Sequence, residues 1–350
     1  MTLSAWKKEL TDLGPAIPNR VAYAAAHVVV KDESGESVDW AATDAQRIFL
    51  NRHGFGIAEA MDTAQRFDLG WDVAKTLIER TAALNLENGF AAGASGDHAK
   101  PGAPVELSAA VAWQVNFIRE AGGLPVILPM PVLAAKQASA DEFVQVYADI
   151  LTASQGPILL HWLGPMFLTG LENYFPDDSF ERIMALDTDR IVGAKISLLD
   201  ASREISIRKG LASAGQIIYT GDDFHFAELI AGVGDQVGEY SHALLGILDA
   251  IARPAGLAFQ FLSHGLHHRF LEIMKPCENL SRHLFQDPTC HYKAGIAYLS
   301  WLDGRQVNPW LPLRADRERD ASHYQTLLDL ALDARVFADS SAAKAKAKNI

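Results

Sequence analysis

Lys195 stands near the end of the run Ile191-Val-Gly-Ala-Lys-Ile196. Short, nearly continuous apolar runs of this kind are typical strands of parallel sheets covered on both faces. A lysine is almost never fully buried without a partner or a task. Desolvation lowers its pKa toward the range where the amine becomes a nucleophile. The chemistry this allows is Schiff-base formation with a carbonyl compound. The same residue would equally serve as a strand-end lysine whose stem is buried while its ammonium reaches solvent. Where the strand falls in the chain separates the two readings.

Other ionisable and hydroxyl side chains follow similar short apolar runs: Glu59 and Asp62, Ser95 and Asp97, His161, Asp222 and Asp223, then Glu239 and His242. Imidazoles beside an amine and carboxylates can move protons near neutral pH. His161 directly follows Pro157-Ile-Leu-Leu160 and precedes a Gly164-Pro165 turn, a position that favours function. Asp223 also fits the start of a helix as a cap, and His242 also fits a satisfied core histidine. His264, His267 and His268 could share a helical face. However, Leu262–Arg269 holds no carboxylate or cysteine, so it reads as a polar helix surface or a subunit contact. Gly93-Ala-Ser-Gly-Asp97 lacks the spacing of a phosphate loop. Two cysteines, Cys277 and Cys290, are too few for a structural zinc site.

Eight short strands are expected to carry these residues. They end near His27, Glu59, Gly93, Pro129, His161, Lys195, Thr220 and Tyr240, at steps of 32, 34, 36, 32, 34, 25 and 20 residues. Amphipathic stretches such as 43–52 and 141–150 lie between them. Eight βα units in succession make a (β/α)8 TIM barrel, whose active site lies at the C-terminal strand ends. A doubly wound open sheet would show the same alternation. Beyond the eighth strand the pattern is helical over 243–252, 257–274, 292–302 and 322–334. The expected organisation is therefore an α/β barrel over 18–250 and a C-terminal helical extension over 251–335. A disordered tail is expected over 336–350, where Ser340-Ser-Ala-Ala-Lys-Ala-Lys is low in complexity.

Composition narrows the function classes. The 350 residues are 49% apolar and 21% charged with a net charge of −12, as in an ordinary globular protein. That charge argues against nucleic-acid backbones as partners. No apolar stretch nears the roughly 20 residues of a membrane span. The opening Met1-Thr-Leu-Ser-Ala-Trp-Lys-Lys8 has no leader-like apolar core, and the sparse cysteines imply no disulfide framework. A cytoplasmic protein is the expectation.

Ile191-Val-Gly-Ala-Lys-Ile-Ser-Leu-Leu-Asp200, followed by Ile218-Tyr-Thr-Gly-Asp-Asp223, resembles the dihydrodipicolinate synthase and N-acetylneuraminate lyase superfamily. Val28–Gly35, His161-Trp-Leu-Gly-Pro165 and Asp287–Lys293 add to the likeness, which runs over about residues 18 to 335. More narrowly, the chain resembles the branch known as domain of unknown function 993. The resemblance implies a class I aldolase-type barrel in which Lys195 forms the Schiff base, with no cofactor and as a homo-oligomer, dimer or tetramer. Several positions depart from the superfamily pattern. Its Gly-Thr-Thr-Gly-Glu loop is Met61-Asp-Thr-Ala-Gln65 here, so only Thr63 keeps a hydroxyl and Asp62 adds an anion. Its strand-five tyrosine is His161, and the arginine that often follows has no counterpart in Leu163–Leu168.

The expected site therefore has Lys195 and His161 as catalytic residues and Glu59, Asp62, Thr63, Ser95, Asp222 and His242 around the substrate, a small carbonyl compound. The expected function is a metal-independent lyase acting on a neutral or polyhydroxylated keto compound. Two other readings compete: a metal-dependent isomerase or hydrolase with Glu59, His161, Asp222 and His242 as ligands, and a non-catalytic sugar-binding barrel.

Overall fold

The computed structural model describes residues 2–61, 65–99, 107–312 and 319–348. Its eight strands close into a parallel barrel in sequence order: β1 Ala22–Ala25, β2 Gly56–Glu59, β3 Phe90–Ala94, β4 Leu124–Ile127, β5 Ile158–Leu163, β6 Ile191–Ser197, β7 Ile217–Thr220 and β8 His242–Leu245. The chain is a TIM barrel, with helices between the strands and further helices C-terminal to them. Alternation along each strand divides the side chains between the lumen and the outer helices. The lumen cluster includes Ala25, Ala58 and Ala91 on β1 to β3 and Leu159, Tyr219 and Leu244 on β5, β7 and β8. Small residues on one wall thus leave room for large ones on the other. Gly56 is part of this fit, because a Cβ there would lie 2.6 Å from the Tyr23 ring.

Seven strands fall within a few residues of their expected places. The eighth does not. Residues 236–240 were expected to form it and 243–252 a helix, whereas β8 is His242–Leu245 and a helix follows over Leu248–Ser263. Ala243–Ala252 is apolar almost throughout, so periodicity alone does not distinguish a buried strand from a buried helix. Bonding to β1 through Ala22↔Ala243 and Ala24↔Leu245 makes it the strand that closes the barrel.

The C-terminal helices Leu248–Ser263, His267–Leu284, Tyr292–Leu302 and Ala321–Asp333 pack together and against the barrel. The expected disordered tail instead contains a helix over Ser340–Ala347. Asp339 caps it by accepting from the Ser341 and Ala342 N–H groups, and Ala343 is buried. Alanine is the best helix former and aspartate a favoured cap, which outweighs the low complexity.

Candidate active site

The site is built on β5, β6 and β7. Strand pairing sets His161 opposite Lys195 and Leu163 opposite Ser197, and Lys195 opposite Tyr219. Partners in a parallel ladder share a face, so His161, Lys195 and Tyr219 form one row on the lumen side. A register shift puts Val192 between the pairs Ile158↔Ile191 and Leu159↔Gly193. Such bulges re-aim the side chains that follow, and here the shift sets the phase of Lys195.

Lys195 is 4% exposed and His161 is fully buried. His161 Nε2 lies 3.2 Å from Ser197 Oγ. Gly221 brings this group together. A Cβ on it would sit 2.1 Å from Ser197 Oγ and 2.9 Å from Lys195 Cε, and its N–H donates to Ile196 O at 2.7 Å. Lys195, Ser197 and His161 are thus neighbours around one bare backbone position. Ser197 was missed in the sequence, although two-residue alternation from Lys195 points to it.

Of the two aspartates after β7, Asp222 takes the capping role expected of Asp223. Asp222 caps its own turn: Oδ1 accepts the N–H groups of Phe224 and His225, and Oδ2 lies 2.9 Å from the His225 ring. Asp223 is buried as well. It accepts the Ile247 N–H at 3.1 Å. Burial pushes it up to about 7, against the pull of that N–H, of Lys195 and of Lys293.

Two other expected residues, Glu59 and His242, lie elsewhere. Glu59 faces the helices: Arg47 donates to both its oxygens at 2.9 and 3.0 Å, and the Thr81 hydroxyl donates at 2.8 Å. On β2 it alternates with the lumen residue Ala58, so it points away. His242 opens β8 and therefore sits at the N-terminal end of that strand. Its ring packs on Tyr219 and Tyr240, its Nδ1 accepts the Val21 N–H, and burial with nearby Arg20 lowers it to about 4. The displaced eighth strand explains this error. Ser95 follows β3, half-buried, with its N–H donating to Gln114 Oε1. Asp62 and Thr63 lie outside the described residues.

A further buried polar cluster, not read from the sequence, lies by the ends of β1 and β8. His27 Nδ1 is 2.8 Å from Asp249 Oδ2 and its Nε2 is 2.6 Å from Gln306 Oε1. Gln46 donates to Asp249 Oδ1 at 2.6 Å, and Lys293 Nζ lies 3.8 Å from Asp249 Oδ2. Burial would raise Asp249, but His27, Lys293 and Arg305 outweigh it and hold the carboxyl below the usual range. Burial lowers Lys293 to about 8.

Comparison with known proteins fixes the family. The family model for DUF993, described as a protein of unknown function, matches residues 2–350. The chain belongs to the DUF993 family. No curated protein is detectably similar to it. Solved structures similar to this DUF993 member come from the dihydrodipicolinate synthase family. A Pseudomonas aeruginosa protein assigned as a dihydrodipicolinate synthetase is 16% identical with a TM-score of 0.71, covering 90% of this chain and 99% of that one. YagE, a prophage protein of that family from E. coli K12 solved with pyruvate, is 13% identical with a TM-score of 0.69, covering 91% and 99%. Dihydrodipicolinate synthase from Oceanobacillus iheyensis is 13% identical with a TM-score of 0.66, covering 94% and 98%. At these identities the likeness is one of fold.

In this DUF993 member the four ligands of the metal-dependent reading are dispersed. Glu59 points outward, Asp222 closes a turn and His242 starts its strand. Among the described residues no group of three or more His, Cys, Asp or Glu side chains is placed to hold a metal ion. No helix there is long and apolar enough to cross a membrane.

Proposed function

We propose that this DUF993 protein is a class I Schiff-base lyase. The observation that carries the reading is the row formed by His161 and Lys195 on adjacent strands, both buried, with Ser197 Oγ at hydrogen-bond distance from the imidazole. Lys195 attacks the substrate carbonyl, and the protonated imine serves as the electron sink. His161 moves the proton, through Ser197 or directly. The reaction is carbon–carbon cleavage or the reverse condensation, and dehydration can proceed through the same imine.

The substrate is a neutral or polyhydroxylated keto compound. Two buried arginines near the strand ends support this by being committed elsewhere. Arg66 spends five N–H bonds on Asp97, Gln114, Ala60 O and Gly93 O. Arg47 gives two to Glu59 and one each to His27 O and Thr43 O. Neither has the free bidentate fork that a substrate carboxylate would engage. Pyruvate, the ligand of YagE, is therefore expected to be the poorer substrate type here.

Borohydride trapping with a panel of pyruvate, a 2-keto-3-deoxy sugar acid and neutral ketoses tests the assignment. Neutral ketoses should give saturable trapping and the acids weaker trapping. Rapid, saturable trapping of pyruvate would overturn the substrate reading.

A further inference from the structure

Glu204 lies on the helix Ala201–Leu211, between β6 and β7, and is buried. A buried carboxyl is costly unless its oxygens are hydrogen-bonded. Both oxygens of Glu204 are, each by a hydroxyl: Thr220 donates to Oε2 at 2.9 Å and Ser241 to Oε1 at 2.7 Å. The two arms run in different directions. Ser241 stands just before β8, at the N-terminal end of that strand, and its Oγ accepts from Arg208, which also donates to Leu229 O. Thr220 is the last residue of β7. Its neighbour Tyr219 faces the lumen, so Thr220 faces the helix that carries Glu204.

The Thr220 arm continues to the Lys195 site through a chain of contacts. A hydroxyl has one proton and two lone pairs. Thr220 spends the proton on Glu204 and offers a lone pair to the Asp222 N–H, 3.2 Å from Oγ1. Gly221 is the residue enclosed by this turn. Its N–H donates to Ile196 O at 2.7 Å, and its bare Cα is the surface against which Lys195 and Ser197 pack. A Cβ there would lie 2.9 Å from Lys195 Cε and 2.1 Å from Ser197 Oγ. Turns closed by a Ser or Thr hydroxyl are weak by themselves, and a hydrogen-bonded chain in a buried setting strengthens each member.

We propose that Glu204 is a positioning residue of the Lys195 site: through Thr220 it fixes the Gly221 turn, and with it the space around the Lys195 side chain and the Ser197 hydroxyl. This rests on the Schiff-base reading and extends it to a residue outside the lumen.

Removing the Thr220 arm should cost function, and removing the Ser241 arm should not. The rate of borohydride trapping at Lys195 is measured against dihydroxyacetone concentration at about pH 8.5, where a carboxyl that burial raises to about 7 is ionised. In Thr220→Val, which keeps the shape and loses the hydroxyl, the saturating rate should fall about tenfold or more, toward the 10² scale of a reacting group displaced by about 1 Å. Thr220→Ser should restore most of it. Glu204→Met should fall likewise and lose nothing further when combined with Thr220→Val, because residues of one network are not additive. Ser241→Ala should trap at close to the wild-type rate. A folded Thr220→Val or Glu204→Met at the wild-type rate would overturn the proposal. So would an equal loss in Ser241→Ala, the mark of a carboxyl that only holds the helix to the barrel.

Amide hydrogen exchange reads the turn without any imine. The Gly221 and Asp222 amides should be protected in the wild type and exchange about tenfold faster in Thr220→Val, the scale of one lost hydrogen bond. The Ser241 amide, bonded to Leu229 O, should be unchanged. If no carbonyl compound is trapped, the Schiff-base reading fails while this exchange still decides the role of Glu204. A wild-type Asp222 amide that exchanges like an open loop would overturn the proposal even if Thr220→Val does not fold.

Discussion

Gly221→Ala puts the geometry of the site under direct test. The added methyl would lie 2.1 Å from Ser197 Oγ and 2.9 Å from Lys195 Cε, while Ile196 O, at 3.0 Å, belongs to a backbone that the Gly221 N–H already holds. No atom pair tolerates these separations, so the two side chains must move. Overpacking a tight interior typically costs about 1–3 kcal/mol, which a barrel of this size should survive. The functional cost should be larger in proportion. Displacing a reacting group by about 1 Å can lower a rate on the order of 10²-fold. Urea unfolding read by circular dichroism would measure the first quantity, and the initial rate of dihydroxyacetone trapping by borohydride the second. Gly210→Ala is the matched control. That glycine lies within the helix Ala201–Leu211 with nothing near its Cβ position, so alanine should stabilise by roughly 0.5–1 kcal/mol. If Gly221→Ala folded and trapped at the wild-type rate, the closeness of Lys195 and Ser197 would have no bearing on function.

Three further outcomes follow from the same geometry. His161→Ala should lose about 10² to 10⁴ in turnover, as for loss of a general acid–base group, with its circular dichroism spectrum unchanged; full turnover would place proton transfer elsewhere. Arg47→Met strands the buried Glu59 carboxylate, and removing one partner of a buried pair costs about 3–5 kcal/mol. A shift in the urea midpoint too small for even 1 kcal/mol would contradict the reading of Glu59 as a fixed structural anion. Burial raises Glu204 to about 7, against hydrogen bonds from Ser241 and Thr220. The folded state therefore keeps this proton where the unfolded chain has lost it. The contribution of Glu204 to stability, relative to Glu204→Gln, should decline as pH rises from about 4.5 to about 7 and level off above, with a ceiling of roughly 3 kcal/mol. A pH-independent difference between the two proteins would contradict it.

The barrel was legible because strands β2 to β7 are short apolar runs at βα spacing, and because Gly-x-Lys and Gly-Asp-Asp sit at the ends of two of them. The direction of Lys195 was not legible. A strand buried on both faces has no alternating pattern, and the shift at Val192 would defeat simple counting. Glu59 stood at a strand end in the sequence yet points outward, because its partners Arg47 and Thr81 come from two different helices. His242 was misplaced with its strand, since the stretch 243–252, apolar but for Asp249, conceals the boundary between β8 and the helix after it. The buried group around His27 was beyond reach for another reason. Asp249, Lys293 and Gln306 lie more than two hundred residues from His27 along the chain. No local pattern marks their meeting.

The central claim is that Lys195 is the imine-forming amine. Its most direct test is peptide mapping by mass spectrometry after the intact protein has been reduced with borohydride in the presence of dihydroxyacetone. The account predicts the reduced three-carbon adduct on the peptide containing Lys195, and none on that peptide in Lys195→Arg, because arginine stays protonated and is not a nucleophile. An adduct confined to another lysine, or none with any carbonyl compound in the panel, would contradict it.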